Sequence, residues 1–63
     1  MRIQITRPET CAAFARLNLT TEGHIIKHDP THKEGFLLRP FGITFTDRPG
    51  VYWYARWEFV ILD

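Results

Sequence analysis

Val51-Tyr52-Trp53-Tyr54-Ala55-Arg56-Trp57-Glu58-Phe59-Val60-Ile61-Leu62 holds both tryptophans and both tyrosines of this chain. The stretch reads as one long β-strand. Its odd positions, Val51, Trp53, Ala55, Trp57, Phe59 and Ile61, form an unbroken apolar face. Its even positions, Tyr52, Tyr54, Arg56 and Glu58, mix aromatic and charged groups. Side chains alternate across a strand, so the odd face is predicted to be core and the even face to point away from it. Trp53, Trp57, Phe59 and Ile61 are therefore expected to be buried.

Working outward, Arg48-Pro49-Gly50 before this stretch fits a type II turn, with Pro setting φ and Gly supplying φ > 0. Ile43-Thr44-Phe45-Thr46 alternates as a short strand. Arg39-Pro40-Phe41-Gly42 and Asp29-Pro30-Thr31-His32 have the Pro-second form of turns. Gly35–Arg39 and His24–His28 read as a pair of strands between them. At the other end, Arg2–Thr6 alternates with Ile3 and Ile5 inward. Thr6-Arg7-Pro8-Glu9 carries the spacing of a capping box, with Pro8 tolerated in the first turn. The helix it opens is predicted over Arg7–Asn18, with Phe14 and Leu17 facing inward.

The predicted fold is α+β: a small antiparallel sheet of about four to five strands with one helix packed on one face, in the order β-α-β-β-β-β. Residues 1–63 form a single small domain. The strand at 43–46 is much shorter than 51–62, so the Trp57–Leu62 end needs a second partner. The first strand, Arg2–Thr6, is the nearest one in the chain. Left unpaired, that edge would accept another molecule, a second copy included.

Sixty-three residues bury only about 60% of their unfolded surface, which leaves a thin stability margin. One cysteine allows no intrachain disulfide, so five Phe, two Trp and two Tyr must build the core. Eight basic residues against seven acidic ones give a net charge of +1, which is no polybasic signal. No apolar run approaches the roughly 20 residues of a membrane span, and the N-terminus lacks a signal-peptide apolar region. No membrane partner is expected, and a cytoplasmic location is the default.

His24, His28 and His32 recur every four residues. On a strand His24 and His28 would share a face about 13 Å apart, too far to hold one ion. No four-ligand zinc pattern exists, so no metal and no cofactor is expected. Cys11 lies in the second helical turn without a recognisable base beside it, and reads as an inert thiol. No two carboxylates make an acid/base pair, and no phosphate loop or nucleophile motif is present. So small a chain has little room for a pocket beside a core, so an enzyme is not expected.

Tyr52, Tyr54 and Arg56, with Glu58 and Arg48, form the predicted partner-binding face. Tyr and Arg are enriched at binding hot spots because they desolvate large areas yet keep a polar handle. The expected function is a small inhibitor or adaptor bound to a larger protein or ribonucleoprotein complex. Phages and mobile elements use compact proteins of this kind to block host defence, CRISPR complexes included. That analogy rests on size and character, with no residue motif behind it. The alternative is a single-stranded nucleic-acid binder, using the same aromatics with Arg48, Lys27 and Lys33.

Overall fold

Ile3 and Ile5 alternate with Arg2 and Gln4, and a strand forms there as the pattern requires. The computed structural model describes residues 1–63. Strand β1 (Arg2–Ile5) leads into helix α1 (Pro8–Arg16), then β2 (Glu22–His28), β3 (Lys33–Glu34), β4 (Leu37–Leu38), β5 (Phe41–Phe45) and β6 (Arg48–Tyr54). A 3-10 turn at Arg56–Glu58 precedes β7 (Phe59–Ile61). Five strands make one antiparallel sheet in the order β6-β5-β2-β1-β7, while β3 and β4 pair with each other. One helix on an antiparallel sheet is the α+β arrangement expected. No helix is long and apolar enough to cross a membrane.

The core is small: Ile3, Ile5, Ile43, Phe45, Tyr54 and Phe59. Each such side chain contributes about 1.5–3 kcal/mol by leaving water. Gly23 pairs with Ile3 on this face and has no room for a side chain. A Cβ there would lie 2.7 Å from the Thr44 carbonyl oxygen and 2.8 Å from Ile43 Cγ2. Cys11 and Phe14 bring the helix onto the same cluster, with the Phe14 ring edge-on to Phe45 at 5.7 Å. The helix closes with Asn18 at φ 58°. There Asn18 N–H donates to the Ala15 carbonyl and Leu19 N–H to that of Phe14, the two bonds of a Schellman motif.

Several expectations are corrected. Thr6 does not cap the helix: Arg7 is the N-cap, without a side-chain bond, and Thr6 N–H donates to the Glu58 carbonyl. Leu17 falls on the capping turn and is exposed. The tight turn before β6 is Thr46-Asp47, because Phe45 pairs directly with Arg48. Pro49-Gly50 instead lies inside β6, where Gly50 at φ 101° accompanies a register shift. Phe41-Gly42 begins β5 and makes no turn.

The largest correction concerns the last stretch. It is two strands on opposite edges of the sheet, joined by the 3-10 turn. Tyr54 and Phe59 both point into the core, yet they are five positions apart. An uninterrupted strand would send them to opposite faces. The turn absorbs the mismatch and leaves Trp57 69% exposed. Across a flat five-strand sheet the edges would lie about 19 Å apart. A three-residue 3-10 turn advances only about 6 Å. The sheet must therefore curl until its edges approach. The Phe41 and Phe59 rings, on β5 and β7, accordingly meet edge-on at 5.4 Å. Strand β7 pairs with β1, so the end of the stretch finds the partner its length demanded.

Candidate functional site: an exposed hairpin arm

The five residues of the predicted binding face do not share a solvent-facing surface. Tyr54 is 7% exposed and belongs to the core, and burial pushes its phenol pKa up to about 12. Tyr52 is half-buried and packs edge-on against Phe45 at 5.4 Å. The Arg48 side chain is almost wholly enclosed. Its guanidinium lies 3.9 Å from the Phe45 ring centroid and 4.4 Å from that of Phe14. Its Nη1 donates to the Thr20 carbonyl and to Asp47 Oδ1. Nε and Nη2 have no hydrogen-bond partner, and the aromatic faces are what stabilise that charge. Arg48 thus clamps the helix side of the core.

Glu58 is 3% exposed, and a buried carboxylate must be compensated. Its Oε1 accepts the Ala55 N–H at 2.8 Å, closing the 3-10 turn. Arg7 Nη1 lies 3.2 Å from Oε2, and Arg39 Nε 3.4 Å from Oε1. These groups border an open depression of about 320 Å³ between helix and sheet, with Thr10, Phe14 and Tyr52 on its walls. Its charges pair internally. Arg56 alone of the predicted set is exposed, beside exposed Trp57.

The histidines separate. A register shift between Ile25 and Lys27 reverses the alternation, so His24, opposite Thr44, and His28, opposite Phe41, lie on different faces. His28 stacks on Phe41 at 4.6 Å and His32 on Trp53 at 4.1 Å. No three His, Cys, Asp or Glu side chains converge as metal ligands would. Cys11 Sγ donates to the Ile5 carbonyl across the helix–sheet seam.

The surface feature missed from sequence lies beyond those stacks. Asp29 N–H donates to the Pro40 carbonyl, and Arg39 N–H to that of His32. The β2–β5 hairpin thus continues outward into β3 and β4 as an arm. The Asp29–His32 turn forms as expected: His32 N–H returns to the Asp29 carbonyl, and the Asp29 carboxylate accepts Thr31 N–H and O–H. Those bonds to Thr31 hold the Asp29 pKa below its usual value. Glu34 pairs with Leu37, so Gly35-Phe36 is a two-residue turn. Gly35 has φ 61° at its first central position, where a type II′ turn requires Gly. Phe36 at the tip is 108% exposed, and Leu37 and Leu38 behind it are exposed as well. The Arg39–Glu34 ion pair, at 3.3 Å, ties the arm to its base. The Phe36-Leu37-Leu38 run falls in the stretch Gly35–Arg39 expected as one return strand, whereas only Leu37–Leu38 is strand and Phe36 lies in the turn. The Glu34-Gly35-Phe36 step, Gly after a polar residue, was the available turn signal.

Comparison with known protein families, curated proteins and solved structures found no match for this chain.

Proposed function

We propose that this chain is a small non-enzymatic inhibitor or adaptor that docks through the β3–β4 arm. Its partner is a larger protein, or the protein part of a ribonucleoprotein complex. The observation that carries this reading is Phe36, wholly exposed at the tip of a two-residue turn whose first residue is Gly35 at φ 61°. Nothing inside the molecule accounts for three consecutive apolar side chains in water. Large apolar side chains left exposed together on one projecting element are candidates for an interaction site. A rigid aromatic supplies large contact area at small entropic cost, which is how hot spots work. Arg56 and Trp57, exposed on the 3-10 turn, offer a second contact region.

The specific role proposed is cytoplasmic blockade of a host defence complex by a phage or mobile-element protein, in the manner of anti-CRISPR inhibitors. Size and compactness support that step by analogy alone. Affinity capture from the native host, with partners identified by mass spectrometry, tests the docking reading. Phe36→Ala should lose the partner retained by the parent protein, a loss of about 2 kcal/mol or more in binding. Its melting temperature should be unchanged. Undiminished capture by a folded Phe36→Ala protein would refute the role of the arm.

A further inference from the structure

The depression between helix and sheet, about 320 Å³, has the size at which small-ligand sites begin. Three hydroxyls line it: Tyr52 and Tyr54 from the inner face of β6, and Thr10 from the helix. None of the three makes a hydrogen bond within the chain. Tyr54 is the telling one. It is more than nine-tenths buried, and taking a hydroxyl out of water without a partner is unfavourable. The side-chain atoms sealed from solvent without a partner are Arg39 Nε, Arg48 Nε and Arg48 Nη2. The Tyr54 oxygen is not among them, so it opens outward, and the depression is the opening its side chain lines. Burial keeps this phenol neutral, so it stays a hydrogen-bond donor at ordinary pH. Ala13 and the half-buried Phe14 supply an apolar wall from the helix. The rim charges already have partners: Arg7 pairs with Glu9 and Glu58, and Arg39 with Glu34 and Glu58.

We infer that this depression binds a small neutral molecule, an aromatic ring bearing a carbonyl, with the ring against Phe14 and Tyr52 and the carbonyl oxygen accepting the Tyr54 O–H. The carbonyl follows from the phenol, which donates a hydrogen bond better than it accepts one. The ring follows from the walls, since aromatic side chains favour stacked or edge-on contact with another ring. Neutrality follows from the ion pairs: an anion would have to draw Arg7 from Glu58, and a cation Glu58 from its arginines, leaving a buried charge exposed to less compensation. Phe36, Leu37 and Leu38 take no part in these walls. The site is therefore separate from the arm and does not rest on the docking reading.

The test uses the full chain and three probes of nearly one shape: benzamide, which is neutral, benzoate, an anion, and benzamidine, a cation. Each is titrated into isotope-labelled protein at neutral pH while its NMR spectrum is followed. The expected result is saturable movement of the Thr10, Ala13, Phe14 and Tyr54 signals by benzamide, with a Kd of about 1 mM or tighter. Benzoate and benzamidine should bind more weakly. Tyr54→Phe removes a hydroxyl that bonds to nothing inside the fold, so its melting temperature at neutral pH should hold. Its affinity for benzamide should fall about fivefold, the scale of one hydrogen bond. Ala13→Trp fills the depression from the helix side and should abolish binding, which keeps the test decisive should Tyr54→Phe fail to fold. Phe36→Ala should bind benzamide as the parent does. No saturable movement, movement confined to the arm, or undiminished binding by folded Tyr54→Phe or Ala13→Trp would overturn the site. Tighter binding of either ion would overturn the neutral ligand. None of these outcomes touches the docking reading, which is tested by capture with Phe36→Ala.

Discussion

Trp57 and Glu58 are neighbours with opposite fates. The tryptophan, the larger apolar side chain, stands in solvent, while the carboxylate is buried under two arginines. Trp57→Ala should therefore change stability by no more than about 0.5 kcal/mol, the range for surface substitutions. Glu58→Ala should cost about 3 kcal/mol, because it frees the Ala55 N–H and strands the Arg39 charge. Urea unfolding of the two variants measures both. Tyr54 adds a pH signature. Its folded pKa of about 12 lies above the ordinary tyrosine value of 10.0, so the fold favours the neutral phenol. That contribution is complete below pH 10 and is lost as pH rises toward 12. Tyr54→Phe should flatten the alkaline limb of the stability curve over that window. An unchanged limb would place the cause elsewhere.

Elements behave as their local patterns demand where one face is unambiguous. In β1 and β5 the isoleucines and Phe45 alternate with polar or small residues, and both strands form where the period-two pattern puts them. The helix keeps Phe14 inward but is stopped at Arg16 by the left-handed Asn18, which leaves Leu17 on the capping turn. Proline misled in two places: Pro40 and Pro49 read as turn formers, yet Pro40 is buried beside β5 and Pro49 lies in the edge strand β6. An edge tolerates proline because its outer N–H groups need no ladder partner. Gly23 is the tightest point where β1, β2 and β5 meet. Gly23→Ala should destabilise by about 1–3 kcal/mol, since backbone as well as side chains would have to move. Thermal unfolding reads this directly, and a neutral outcome would mean the sheet yields more easily than its packing implies.

At the scale of the whole molecule, Asp47 links the α1–β2 loop to the β5–β6 turn. It accepts Thr20 N–H at 2.7 Å and pairs with Arg48. Those contacts, the Thr20 bond foremost, lower its pKa from 3.8. A carboxylate lowered in the fold stabilises at pH above 3.8, and the contribution disappears as pH falls through the folded value. Asp47→Asn should thus narrow the difference in stability between pH 7 and pH 3. Denaturant titrations at the two pH values test it.

The α+β class, the single helix, the first strand and the need of the Trp57–Leu62 end for a second pairing partner were determined by the sequence alone. They rest on short-range periodicity and on the count of pairing partners. Which face of 51–62 is buried was decided only by the tertiary structure. Alternation in one unbroken strand puts Trp53 and Trp57 inward, yet Tyr54 is in the core and Trp57 is in solvent. The choice follows from closure: Tyr54 and Phe59 must reach one core from opposite edges of a curled sheet, and their odd separation forces a break at Arg56–Glu58. The candidate site follows the same division. The Phe36-Leu37-Leu38 run looks like core material, and only the path of the hairpin beyond the His32–Trp53 stack carries it past the sheet and into water.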